Sequence, residues 1–167
     1  SSVDGDNFHS YEILSRLTYD DYGNITEYLK KDGINNGYIW SSDGQDLLAE
    51  IKNGSPQHVY VSSFDENGEI AKKAKTGKKI RNTNYTISLE QLPLGDYWLT
   101  YWLLQDTWKL VTEKVKVGSP SFYRLIEASA SAPIDELRFY PVDAEIVTYT
   151  YMPGVGVESV TDPNNNT

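Results

Sequence analysis

Hydrophobic and polar residues alternate with a period of two along much of the chain, most clearly between Pro93 and Val117. One side of the predicted strand carries Tyr97, Leu99, Tyr101 and Leu103, and the other carries Trp98, Thr100, Trp102 and Leu104. Both rows are largely apolar, as in a strand that is covered on both faces. After a polar turn, Lys114 and Lys116 alternate with valines, which is typical of a strand that has one face exposed to solvent. High aromatic and β-branched content disfavours a helix, so the pattern predicts the central hairpin of a β-sandwich.

Short predicted strands separated by turn signals continue on both sides of this hairpin, as in all-β sandwiches. The first hairpin turns at residues 21–24, where Gly23 is free to adopt a positive φ. Asn53-Gly54-Ser55-Pro56 has typical turn chemistry and predicts a boundary. We therefore predict an all-β chain in three parts. They are hairpins in residues 1–53, an antiparallel β-sandwich in residues 54–141, and the start of a further hairpin in residues 142–167.

The predicted hairpins at the two ends need partners. A two-stranded hairpin alone is only marginally stable in water. We therefore expect the N-terminal hairpins and the hairpin of residues 145–160 to pack on each other or on the sandwich.

Composition and charge narrow the classes of partner. The formal net charge of −9 argues against a nucleic-acid partner, because phosphate binding needs a basic surface. One basic run exists, between Lys72 and Arg81, and it is typical of a solvated hairpin tip, although it could touch an anionic polymer. Cysteine is absent, which excludes disulfides and thiolate chemistry. No apolar run reaches membrane-spanning length, so we expect no membrane insertion. Because the chain starts at Ser1 without methionine, we expect a segment of a longer protein.

The tryptophans are the main candidates for ligand contact. Trp98 and Trp102 face away from the predicted core row, so something covers them: a flanking hairpin, another part of the sandwich, or a sugar ring. A buried tryptophan removes about 150–250 Å² from water, which favours structural burial over exposure. Trp40 and Trp108 lie near turns, where they could cover an open sheet edge or form a platform for a sugar.

Catalytic and metal-binding patterns are weak. His9 and His58 are the only histidines, and neither stands in a triad or metal-binding spacing. The carboxylate pairs Asp65-Glu66 and Asp135-Glu136 are more typical of solvated residues than of glycosidase chemistry. Turn aspartates could gather calcium, but Asx-turn hydrogen bonds explain them equally well. These turn aspartates are Asp4, Asp6, Asp43 and Asp65.

Both ends of the chain carry a familiar motif. LTYDDYGNITEY (17–28) and TYTYMPGVGVESVTDPNNNT (148–167) resemble the YD-repeat signature of RHS/YD-repeat proteins of bacterial surfaces. The resemblance implies hairpins that wind into a large β-shell, with the remainder of that shell as partner. It also implies a chain that is extracellular or displayed at the cell surface.

The middle of the chain is similar to galactose-binding-like jelly rolls, a group that includes many carbohydrate-binding modules. The matching pieces are VSSFDENG (61–68), GDYWLTYW (95–102) and IDELRFYP (134–141). The resemblance implies a structural calcium ion at Asp135, which opens the last strand. Simple alternation predicts that Asp135 shares a face with Leu137 and Phe139.

These observations lead to two functional expectations. The first is a non-enzymatic structural or interaction module of a large secreted or surface YD-repeat protein. The alternative is a carbohydrate-binding module that stacks a glycan on Trp98, Trp102 or Trp108. We expect no catalytic residues in either case.

Overall fold

Antiparallel β-structure dominates the computed structural model, which describes residues 15–167. The expectations for Asp4, Asp6 and His9 lie outside these residues. Within them, the only helical segment is a short 3-10 helix, Pro56–His58, so no helix has the length and apolarity needed to cross a bilayer. The strands are β1 (Ser15–Tyr19), β2 (Ile25–Lys30), β3 (Asn35–Trp40), β4 (Leu47–Lys52), β5 (Tyr60–Ser62), β6 (Glu69–Ile70), β7 (Lys79–Ile80), β8 (Tyr85–Leu89), β9 (Gly95–Leu104), β10 (Trp108–Val117), β11 (Phe122–Ile126), β12 (Ile134–Pro141), β13 (Glu145–Met152) and β14 (Gly156–Thr161).

The two ends of the chain build one six-stranded sheet in the order β1-β2-β3-β4-β13-β14. Strand β4 pairs directly with β13, with Ile51 opposite Ile146, although most of the chain lies between them. The first hairpin turns where the sequence predicts, and Gly23 has a φ of 83°. The prediction that the terminal hairpins pack together is confirmed.

The central part of the chain forms the predicted sandwich. A four-stranded sheet, β10-β9-β12-β5, faces the two-stranded sheet β11-β8. The predicted row on β9 points into the core between them: Tyr97 and Leu99 are buried, and Tyr101 and Leu103 pack at its margin. Phe139 stacks on the ring of Tyr97 with a centroid distance of 4.9 Å and on Phe122 at 4.4 Å. The all-β sandwich is therefore present, while the jelly-roll topology stays a prediction.

A second core joins the two large sheets. The buried residues are Ala49, Ile51, Val59, Tyr140, Ala144 and Ile146, with Ile39, Val61 and Trp98 packed against them. They come from the six-stranded sheet and from the face of the four-stranded sheet that points away from the first core. The molecule is thus three layers of sheet, with the four-stranded sheet in the middle and apolar on both faces, as the pattern of β9 predicts.

Candidate functional site

Trp98 is half-buried, and its surroundings are structural. Its ring packs against the second core, beneath the six-stranded sheet. The Lys114 ammonium lies 5.9 Å from the ring centroid and also 3.5 Å from a carboxylate oxygen of Asp96. A flanking hairpin layer therefore covers much of Trp98, which is the first of the alternatives that the sequence left open.

Trp102 and Trp108 contact the basic run. The ammonium of Lys75 lies 4.3 Å from the centroid of the Trp102 ring, a cation–π contact. The indole N–H of Trp108 donates to the carbonyl oxygen of Lys73 at 3.0 Å. The basic run forms the predicted hairpin, between β6 and β7, but its tip folds back onto β9 and β10. The Lys75 ammonium therefore occupies one face of the Trp102 ring, while Trp108 is tied to the loop through its indole N–H.

Asp135 lies on the face opposite to the one that alternation predicts. It pairs with Trp102, whereas Ile134 and Phe139 pair with residues of the core row. A β-bulge between Asp135 and Arg138 shifts the register, and Glu136 takes up the irregularity with a φ of 46°. The prediction that Asp135 shares a face with Leu137 and Phe139 is therefore wrong, because one extra residue inverts the alternation within the strand.

The surroundings of Asp135 do not fit the calcium ion that the jelly-roll resemblance implies. One carboxylate oxygen accepts the backbone N–H groups of Lys75 and Thr76 at 2.8 and 3.0 Å. The other accepts the N–H of Glu136 at 2.8 Å. These donors point positive ends at the positions where a cation would bind, while calcium needs six to eight oxygen ligands. Within residues 15–167, no three His, Asp or Glu side chains form a metal-binding group.

Beside Asp135 lies a buried network of charged and hydroxyl groups. Asp135, Glu136 and Arg138 are each 0–1% exposed. Arg138 donates to the carbonyl oxygens of Ile146, Thr161 and Asp162, and to the Thr148 hydroxyl at 2.7 Å. That hydroxyl contacts both oxygens of Glu136, so it links the guanidinium to the carboxylate. The network ties β12 to β13 and β14, across the boundary between two layers.

Burial controls the protonation of this network. It raises the pKa of Asp135 to about 8, although the three N–H donors favour the ionised carboxylate and the charge of Glu136 opposes it. Burial also raises the pKa of Glu136, against the attraction of Arg138. For both carboxyl groups, burial is the largest cause of the raised pKa.

A cleft lies between the six-stranded sheet and the free edge of β5. Its volume is about 460 Å³, and both aromatic and acidic residues line it. They include Trp40, Tyr60, Tyr149, Tyr151, Asp43, Asp46, Asp65 and Glu66. An apolar hollow of about 450 Å³ continues the cleft over the inner face of β2 and β3, and the two share Ile39, Tyr60 and Val61.

Several polar groups in this cleft already have partners. Trp40 donates its indole N–H to the carbonyl oxygen of Ile25 at 2.9 Å, and the Tyr151 hydroxyl donates to Leu47 at 2.7 Å. Glu66 accepts from the backbone and the hydroxyl of Ser42. The carboxylate of Asp46 has no hydrogen bond to any residue that the structure describes. This carboxylate can accept hydrogen bonds from hydroxyl or N–H groups, and it lies beside aromatic side chains of the same cleft.

The other acidic candidates are engaged in turn structure. Asp65 accepts the N–H groups of Lys78 and Lys79, and it holds the basic loop against the sandwich. Asp43 accepts from the Ser41 hydroxyl and the N–H of Gln45, and these bonds lower the pKa of Asp43. His58 closes the 3-10 helix and forms no side-chain hydrogen bond within residues 15–167. The bond from the Gln45 N–H to Asp43 is the Asx-type contact that the sequence offered beside calcium. Asp65 instead bonds to residues 13 and 14 positions further along the chain.

Sequence reasoning missed this cleft and the buried network. The sequence places Trp40 near a turn, but Tyr60 lies in β5, and Tyr149 and Tyr151 lie in β13, so the cleft draws on two other segments of the chain. Only the pairing of β4 with β13, and the packing of that sheet against β5, brings them together. No local signal in the sequence marks their proximity.

Comparison of the chain with protein-family models, with curated proteins and with solved structures finds no match in any of the three. The RHS/YD-repeat and galactose-binding-like resemblances therefore rest on their quoted motifs.

Proposed function

We propose that the chain is a non-enzymatic structural module of a large YD-repeat protein that is secreted or displayed at the cell surface. In this proposal, the six-stranded sheet is a section of a β-shell, and residues 53–144 are a sandwich inserted between two of its hairpins. The insertion stiffens the shell and presents a surface to partners.

The pairing of β4 with β13 is the observation that carries the proposal. Lys52 and Glu145 lie opposite each other across the base of the insertion, and the register continues through Ala49 and Thr148. The hairpin series therefore resumes beside the strand where it stopped. Such a junction lets an inserted domain leave the surrounding sheet unbroken, because the entry and exit points are adjacent.

Exposed apolar side chains on the terminal hairpins add support. Tyr19 is 55% exposed and Tyr22 is 64% exposed on the first hairpin, while Val155 is 77% exposed on the last. Apolar groups concentrated in this way mark surfaces that contact another protein layer. Neighbouring hairpins of a shell would supply that layer.

Surface labelling of the producing cells tests the proposal. Antibodies raised against residues 15–167 are expected to stain intact cells or to detect the parent protein in the medium. A band much larger than the 18.9 kDa of this chain is expected on an immunoblot. Staining that requires cell lysis, or a band at the size of the chain itself, would contradict the proposal.

Glycan binding is the second candidate, and the cleft lined by Trp40, Tyr60 and Asp46 favours it over a site on Trp98, Trp102 or Trp108. Sugars combine apolar C–H faces with hydroxyl groups, which match aromatic rings beside a carboxylate. When a panel of soluble glycans is titrated in, the tryptophan fluorescence of the unsubstituted protein is expected to shift, and that of Trp40→Phe is not. A shift retained in Trp40→Phe but lost in Trp102→Phe would return the site to the β9–β10 hairpin. A flat response across the panel would remove this candidate.

A further inference from the structure

The free edge of β10 differs from the other outer strands of the two large sheets. Proteins protect sheet edges with short strands, bulges or charges, because an unpaired edge can pair with another chain. Strand β5 has only three residues, and β1 and β14 each carry a register shift against their neighbour. Strand β10 has ten residues, and its register with β9 is uninterrupted from Trp108 to Val117. It is the longest regular edge in the part of the chain that the structure describes.

The charge of this region is opposite to that of the rest of the protein. Residues 72–116 hold nine of the fifteen basic residues but only four of the twenty-four acidic ones. On β10 itself, Lys114 and Lys116 are exposed on the outer face, together with Leu110, which is 38% exposed. The Lys75 ammonium adds to the same face, because it lies over Trp102, the partner of Leu110. A basic and partly apolar strip therefore runs along an open backbone edge.

Edge lysines also act as guards against aggregation. On β10 the lysines protect only half of the strand from pairing. Leu110 and Thr112 leave the first half of the outer face without charge, and no proline or bulge interrupts the strand. The lysines then select among strands instead of excluding all of them. A partner with carboxylates opposite Lys114 and Lys116 pairs with the edge, and a basic or neutral strand is disfavoured.

The same surface is poorly suited to a glycan or a nucleic acid. Both of those ligands stack on open aromatic faces. The nearby rings of Trp98 and Trp102 carry lysine ammonium groups and are half-buried. The backbone edge, in contrast, offers N–H and C=O groups that only another peptide chain can satisfy in series.

We propose that β10 is a docking edge that binds an extended acidic peptide segment by strand addition. Main-chain hydrogen bonds along the strand supply the affinity, and alternate carboxylates facing Lys114 and Lys116 supply the selectivity. The Lys114–Asp96 contact, at 3.5 Å between two half-exposed side chains, is a weak competitor that such a carboxylate displaces. This inference depends neither on the proposed role in a YD-repeat protein nor on glycan binding in the cleft.

A labelled peptide tests the proposal directly. The probe is fluorescein-labelled EVETTVL with blocked ends, which places glutamates opposite Lys116 and Lys114 and apolar residues beside Val111 and Leu110. Fluorescence polarisation is expected to show saturable binding that weakens with added salt. The matched peptide KVKTTVL is expected to bind on the order of tenfold more weakly or not at all. Equal affinity for the two peptides would overturn the proposal.

Two protein variants locate the site. Lys114→Glu/Lys116→Glu is expected to weaken the EVETTVL peptide on the order of tenfold, since like charges then face each other. Lys72→Glu/Lys78→Glu makes the same charge change on two exposed residues of the basic loop, outside β10, and is expected to change affinity less than about twofold. Far-UV circular dichroism confirms that both variants fold. The opposite ranking would place the peptide on the loop and overturn the proposal.

Backbone pairing is tested separately from charge. A version of EVETTVL that is N-methylated at alternate residues keeps its carboxylates but lacks the donors on one edge, so it is expected not to bind. When the unmethylated EVETTVL peptide is added to ¹⁵N-labelled protein, the amide NMR signals of residues 109–116 are expected to shift most strongly. Undiminished binding of the methylated peptide, or tighter binding of a labelled oligothymidylate, would show that charge alone attracts the ligand and would overturn the proposal.

Discussion

Arg138 illustrates how a single residue holds two layers of this protein together. Its guanidinium is fully buried and bonds to β13, to the end of β14 and to the turn that follows. Burial lowers the pKa of Arg138, while the charge of Glu136 raises it. A buried charge is tolerated only when its partners compensate for lost hydration. Thr148 contributes to this compensation, because its hydroxyl bonds to both charged groups.

Removing the guanidinium is predicted to be costly. Arg138→Met leaves the buried Glu136 carboxylate without its opposite charge, and we expect the free energy of unfolding to fall by about 3–5 kcal/mol. The matched control is Arg124→Met, which breaks a half-exposed ion pair with Glu113 and is expected to cost about 0–1 kcal/mol. Urea denaturation measures both. Similar losses in the two variants would contradict the buried network.

Asp135 makes stability depend on pH. The pKa of Asp135 is about 8 in the folded protein and close to the ordinary aspartate value of 3.8 in the unfolded chain, so the folded state binds more protons between these values. The contribution of Asp135 to the free energy of unfolding therefore falls as pH rises, from its full value below about pH 4 to its minimum above about pH 8. Glu136 shifts in the same direction. Both raised pKa values therefore contribute stability at low pH, and this contribution is lost as the pH rises.

The test is the slope of stability against pH. In Asp135→Asn, residue 135 cannot titrate. The free energy of unfolding of this variant is therefore expected to fall less than that of the unsubstituted protein between about pH 5 and pH 8. Urea denaturation at several pH values measures both slopes. Parallel slopes would show that another group is responsible.

At the scale of elements, close backbone contacts fix where the insertion leaves the sheet. Gly37 on β3 lies beneath the 3-10 helix, where a Cβ atom would stand 2.7 Å from the Pro56 ring and 3.0 Å from the carbonyl oxygen of Gly54. Ser55 caps this helix and also bonds to Glu27 on β2. The turn that leaves the sheet is therefore packed onto the strands that precede it, and it directs the chain towards β5.

A single methyl group is predicted to disturb this junction. Gly37→Ala forces Pro56 and the backbone of Gly54 to move, and we expect a loss of about 1–3 kcal/mol in the free energy of unfolding. Gly118→Ala serves as the control, because its Cβ atom meets nothing within 4 Å and its φ needs no glycine. Its stability is expected to stay equal or to rise slightly. Thermal unfolding of both variants checks the difference.

At the scale of the whole molecule, the shared second core makes the three layers interdependent. The six-stranded sheet buries Ile51 and Ile146 only because Val59 and Tyr140 of the inserted region cover them. Without the insertion, the inner face of that sheet would lie open to water. The inserted sandwich is thus part of the folding unit to which it is attached.

We therefore predict one cooperative unfolding transition. Ile51→Ala in the six-stranded sheet and Leu99→Ala in the sandwich are each expected to destabilise by about 2–5 kcal/mol and to move the same transition. Tryptophan fluorescence and far-UV circular dichroism should give coincident curves in both variants. Two separate transitions, each sensitive to one variant, would show that the layers fold independently.

Local periodicity was sufficient for the strands of this protein. The β9–β10 hairpin, the turn at Gly23 and the core row of Tyr97 and Leu99 follow from side-chain alternation and turn chemistry, which act between near neighbours in the chain. The same rule failed at Asp135, because a bulge shifts the alternation without leaving a signal in residue type. The charge pattern of the basic run predicted a solvated hairpin tip; Lys72, Lys73 and Lys78 are exposed, whereas Lys75 lies over Trp102.

What the sequence by itself determined is the class of the protein: short antiparallel strands, two apolar faces on β9, and hairpins at both ends that need partners. Tertiary structure alone decided which surfaces those strands share. The pairing of β4 with β13, the cleft beside Tyr60 and the buried Arg138 network all join residues that are distant in the chain. Contacts of this kind depend on how layers stack, and stacking is set by the sum of many weak packing energies that no local pattern encodes.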